Sequence, residues 1–69
     1  MHKGNKLKEL RGDRSQSEMA ACIGVSKSAW AMYERGERVP RDEIKVLIAS
    51  FFHVSVEELF YPEFANAAS

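Results

Sequence analysis

Apolar residues along this chain recur at helical spacing, and the recurrence is broken by short polar or glycine-bearing stretches. Leu7 and Leu10, at i and i+3, give a narrow stripe that predicts a short first helix. Ser15 followed by Glu18 has the spacing of a capping box, in which the hydroxyl accepts from the third backbone N–H and the carboxylate reaches back. A second helix therefore starts near Gln16, with Met19, Ala20 and Ile23 on its inward face and Ala20 small where a neighbouring helix must come close. Gly24 supplies the left-handed residue that ends a helix, Val25 drops between helices, and Ser26 caps the next one. The third helix runs from about Lys27 to Arg35 with Trp30 and Tyr33 facing in; Gly36 stops it and Pro40 bars a simple continuation. Ile44, Leu47, Ile48, Phe51 and Phe52 then form a broad core-facing stripe, predicting a fourth helix over about Asp42 to Phe52 with two acids at its positive end. Ser55 and Glu58 repeat the capping-box spacing and predict a short fifth helix, about Val56 to Phe60. With no alternating strand pattern, the fold class is all-α.

The second and third helices are separated by only Gly24, Val25 and Ser26. Two helices crossing steeply after so short a turn leave the second free to project, which is the geometry of a helix-turn-helix and points to DNA as the partner.

A net charge of zero argues at first against a polyanion, but the charges are not spread evenly. Residues 1–41 hold nine Lys or Arg against five acids, a net of +4, and residues 42–69 hold Lys45 against five acids, a net of −4. Phosphate binding depends on local cations and release of condensed counterions, so a basic half can approach DNA while an acidic half stays away. Arg11 either reaches the phosphates or pairs with an acid such as Glu34.

The stretches SQSEMA, IGVSKSAW, YERGERVP and VSVEELF, with Gln16, Ala20, Gly24, Ser26, Glu34, Gly36 and Pro40 in that order, resemble the lambda-repressor-like, Cro-type (XRE) helix-turn-helix regulators over roughly Leu7 to Phe60. The resemblance implies a compact five-helix domain whose third helix enters the major groove, where base-pair edges are distinguishable. It assigns base reading to Lys27, Ser28 and Met32. Lys27 suits guanine O6 or N7 or, as readily, a phosphate; Ser28 serves donor or acceptor edges; Met32, with Ala31 or Ala29 beside it, suits a thymine methyl or is a surface packing residue. Gln16 resembles a position that bonds a phosphate or braces the first recognition residue, and Ser26, Arg35, Arg38 and Arg41 would clamp the backbone on either side. Trp30 invites a base-stacking role, but in the family its position is a buried apolar site, so core is the expectation. The family also implies two copies on a two-fold related operator. Phe60, Tyr61 and Phe64 are more aromatic surface than a small core requires, and they either form the dimer contact or fold back over Phe51 and Phe52.

At 69 residues and 45% apolar the chain can build one core, so a single domain is expected over 1–69, with its core at about 6–60 and a C-terminal extension at 61–69. Cys22 is the only cysteine and cannot form an intramolecular disulfide; it is either an inert thiol or a redox-sensitive one. No apolar run approaches the length of a membrane span, and the cytoplasm, at the nucleoid when DNA is bound, is the expected compartment. His2, His53 and Cys22 have no metal-ligand spacing, and no cofactor or small-molecule ligand is predicted. Scattered Ser, one Cys and two His assemble no acid–base pair, which argues against an enzyme. The expected function is a sequence-specific transcription regulator acting as a repressor; the other reading is an antitoxin or anti-repressor-like module whose helix-turn-helix organises a protein complex.

Overall fold

The computed structural model describes residues 6–63, and these fold into five helices: α1 (Leu7–Arg11), α2 (Gln16–Ile23), α3 (Lys27–Arg35), α4 (Asp42–Phe52) and α5 (Val56–Phe60). No strand occurs among the described residues. Phe64 lies outside them.

The predicted punctuation is present. At the start of α2 the Glu18 backbone N–H donates to Ser15 Oγ at 3.0 Å while the Ser15 N–H donates to Glu18 Oε1 at 2.8 Å, and Ser55 and Glu58 repeat the arrangement before α5. Gly24 has φ 92°, a left-handed conformation that a side chain would strain even though open space surrounds its α-carbon. Its N–H and that of Val25 both return to the Ala20 carbonyl, at 2.8 and 3.0 Å, which ends α2 and turns the chain sharply into α3. Helix α4 ends differently, on His53 at φ 58°, the only non-glycine residue with positive φ among those described. His53 and Val54 donate to the carbonyls of Ser50 and Ala49, so the left-handed residue closes the helix with a Schellman-type pair of bonds.

The core is one cluster. Leu7, Met19, Trp30 and Ile48 are fully enclosed, with Ala20, Ile23, Ala29, Tyr33, Ile44, Ala49 and Leu59 around them. Helix α2 packs most extensively on α3; α4 rests on α5 and α2, and α1 rests on α3. Val25 is half-buried against this cluster, as the turn position required. One expectation fails. Leu47 is 50% exposed, and the face that α4 buries is Ile44, Lys45, Ile48 and Ala49. The neighbours of α4 lie on the Lys45 and Ala49 side of its Ile44–Ile48 line, which turns Leu47 outward although its spacing fits the stripe.

Candidate nucleic-acid interface

Helix α3 has two faces. Ala29, Trp30, Tyr33 and Glu34 are buried, at i, i+1, i+4 and i+5. On the opposite side Lys27, Ser28, Ala31, Met32 and Arg35 follow the same helical period as one continuous strip, with Lys27, Ser28 and Arg35 exposed and Ala31 and Met32 half-buried. The three residues expected to read bases therefore share one outward face. Ala29 does not join it, so Ala31 alone accompanies Met32. At the amino end Ser26 Oγ accepts from the Ala29 N–H at 3.0 Å, which holds the first turn in place and leaves the hydroxyl hydrogen as a donor beside the positive end of the helix.

Behind this strip sits a buried charge. The Glu34 carboxylate accepts four hydrogen bonds: at Oε2 from Arg11 Nε (2.6 Å) and from the Trp30 indole (2.5 Å), and at Oε1 from Gln16 Nε2 (3.0 Å) and Arg11 Nη2 (3.3 Å). Burial on its own would raise the Glu34 pKa, but the hydrogen bonds from Arg11, Gln16 and Trp30, with the Arg11 charge, outweigh it and hold the carboxyl below its usual range. Arg11 also donates from Nη1 to the Arg14 carbonyl at 2.8 Å, so one guanidinium joins α1, the α1–α2 turn and α3. Of the two roles open to Arg11, pairing with Glu34 is the one the structure shows. Gln16 likewise braces Glu34 near the carboxyl end of α3, rather than Lys27 at its start.

The remaining cations differ in what holds them. Arg35 forms a two-bond pair with Glu37 at 2.9 and 3.0 Å on the open surface, which raises the Arg35 pKa and lowers that of Glu37 through their mutual hydrogen bonds. Arg41 approaches Glu43 only to 4.0 Å. Arg38 and Lys27 are exposed and make no ion pair among the described residues. Arg14 lies 5.2 Å over the Phe51 ring, tying the α1–α2 turn to α4.

Trp30 is fully buried, edge-on to Tyr33 with ring centroids 6.2 Å apart, and presents no surface for base stacking. At the end of α5 Phe60 is half-buried against the core, and the Tyr61 hydroxyl is hydrogen-bonded to Lys45 Nζ, which lies 4.8 Å from the Tyr61 ring centre. Cys22 is exposed on α2. Among the described residues no cluster of His, Cys, Asp and Glu could hold a metal, and no helix is long and apolar enough to cross a membrane.

Two capped helices meeting at a three-residue turn, the second with an open polar strip, are the frame of a helix-turn-helix, and a family profile described as helix-turn-helix matches residues 7–59. The chain belongs to the Cro/XRE-type helix-turn-helix family of DNA-binding regulators. Among its curated relatives is the cryptic phage CTXphi transcriptional repressor RstR of Vibrio cholerae, 37% identical over 57 residues, covering 80% of this chain and 51% of that protein. The HTH-type transcriptional regulator YgzD of Bacillus subtilis is 33% identical over 64 residues, 90% of this chain and 97% of the relative. An HTH-type transcriptional regulator of Methanocaldococcus jannaschii is 34% identical over 61 residues, 86% and 92% respectively. The chain thus spans about half of the phage repressor and nearly the whole of the other two regulators.

Glu34 is the site residue that sequence reasoning undervalued. The available signal was an acid on the inward face of an amphipathic helix, four residues after a buried Trp and facing an Arg on α1.

Proposed function

We propose that this Cro/XRE-type regulator is a sequence-specific repressor that binds a palindromic operator as a dimer, with α3 in the major groove. The observation that carries the reading is the unbroken outward strip of α3, Lys27, Ser28, Ala31, Met32 and Arg35, set directly opposite its buried face. Lys27 and Ser28 reach base edges from the amino end and Met32 meets a thymine methyl, while Ser26, Arg35, Arg38, Arg41 and the α2 start at Gln16 hold backbone phosphates. Repression rather than activation is supported by the relative whose name describes a transcriptional repressor. Pairing of two copies through the aromatic end, Phe60, Tyr61 and Phe64, is supported by its place in the acidic half of the chain, away from the basic half. The domain performs no catalysis in this reading.

Selection of bound duplexes from a random pool at fixed salt tests it. A two-fold symmetric consensus is expected; Lys27→Ala, Ser28→Ala and Met32→Ala should each relax preference at particular base pairs by about 1–3 kcal/mol, and Arg38→Ala should weaken all sequences alike and flatten the salt slope. Recovery of no enriched sequence overturns sequence-specific binding. Sedimentation of the protein with Phe60→Ala and Phe64→Ala tests the dimer surface, the wild type being expected to dimerise and the variant to dissociate.

A further inference from the structure

Glu34 is enclosed like a core residue, yet two of its three partners are only half-buried. Trp30 holds it from within; Arg11 and Gln16, the first residue of α2, are both half-buried, and of these two only Gln16 brings an amide. A primary amide has a donating end and an accepting end, and a carboxylate only accepts. With Nε2 donating to Glu34 Oε1 at 3.0 Å, the Gln16 amide is confined to one of its two orientations. Its NH2 group is fixed at the mouth of the α2 amino terminus, with a second hydrogen left to donate.

We propose that Glu34 is a positioning residue for DNA binding, fixing the orientation of the Gln16 amide so that its second Nε2 hydrogen meets a backbone phosphate oxygen. The proposal rests on the DNA-binding reading above and adds a residue that itself never touches the duplex. A phosphate oxygen is an acceptor, so an amide free to flip would present its carbonyl for part of the time and repel it. The carboxylate removes that orientation before DNA arrives, and by accepting one hydrogen it polarises the NH2 group that donates the other.

The test is a double-mutant cycle on the tightest duplex recovered from the random pool, with gel-shift affinities for wild type, Glu34→Gln, Gln16→Ala and the double variant. Neutralising Glu34 removes a negative charge near DNA in both backgrounds, and the cycle cancels that contribution. Glu34→Gln gives Gln16 a partner that can donate as well as accept, so both amide orientations return. The expected result is that Glu34→Gln weakens binding about fivefold more when Gln16 is present than in the Gln16→Ala background. Equal effects in the two backgrounds overturn the proposal, as does a Gln16→Ala variant that binds like wild type. Should Glu34→Gln fail to fold, the wild type still decides. Gln16 is the only glutamine in the chain, so its side-chain NH2 pair is readily assigned by NMR. One hydrogen should exchange slowly in the free protein, and the other should shift when duplex is added; two equally fast hydrogens overturn the proposal. A wild type that selects no duplex overturns the DNA reading and this proposal together, whereas selection with an additive cycle removes only the latter.

Discussion

Two regions of this small domain each bury one charged side chain, and they satisfy it by different means. Under α3, Glu34 receives four hydrogen bonds from three side chains and is matched by the Arg11 charge. On α4 Lys45 has its ammonium over the rings of Tyr61 and Phe60, with the Tyr61 hydroxyl as hydrogen-bond partner and Asp42 at 3.7 Å. The carboxylate is held by several directional donors from α1, α2 and α3, whereas the ammonium has the single Tyr61 hydroxyl and, beside it, aromatic rings from the end of α5 onward. A directional network fixes the relative placement of three helices, including α3 with its open outer strip. An aromatic cradle tolerates small shifts and suits a place where a short helix and the chain after it lie against α4.

Removing the directional partner should produce the largest effect. Arg11→Ala strands a buried carboxylate and is expected to cost about 3 kcal/mol of stability, read by urea denaturation. The same network fixes the acid response. The folded-state pKa of Glu34 is lowered, so its contribution to stability is fully present above the ordinary carboxylate range and is lost as pH falls through the depressed folded value. Wild-type stability should therefore decline on acidification below that range, and Glu34→Gln, less stable at neutral pH, should show a shallower decline. Parallel acid profiles for wild type and variant would show that the Glu34 pKa is the same folded as unfolded, against the lowered folded value.

Next in size is the aromatic cradle. Lys45→Met keeps the buried stem and removes the charge, and the melting temperature should fall by about 5 °C, less than for Arg11→Ala. A loss equal to that of Arg11→Ala would erase the distinction between the two regions. The smallest effect runs in the other direction. His53 occupies a left-handed conformation that glycine adopts without strain, so His53→Gly should raise stability by about 1 kcal/mol, visible as a higher urea midpoint at unchanged slope.

The local and the distant parts of these regions also differ in how far the sequence announced them. The helix-turn-helix was legible because its boundaries are local chemistry: Ser15 with Glu18, Gly24 and Ser26 satisfy backbone groups within a few residues, and the same holds for Ser55 with Glu58. The outward placement of Lys27, Ser28 and Met32 followed from helical period once Trp30 and Tyr33 were set inward. Interactions that close over distance were less visible. Arg11 and Glu34 are 23 residues apart, and spacing alone could not choose between a phosphate and a carboxylate as the partner of Arg11. Lys45 reads as the one cation of an acidic half; its burial depends on Tyr61, 16 residues later. Leu47 misled because a periodic stripe gives the period of burial but not which neighbours approach its flanks. His53 gave no signal, since a non-glycine left-handed cap is chosen by the hydrogen bonds it completes.

The indole bonded to Glu34 belongs to the only tryptophan in the chain. Its fluorescence is therefore an unlabelled optical gauge of the Arg11–Glu34–Gln16 assembly, sensitive to whether the neighbouring carboxylate is charged and to whether Gln16 has been drawn toward a ligand. Excited selectively at the red edge of its absorption, the native protein can report on its own interior during stopped-flow mixing with oligonucleotide, without a dye attached to α3.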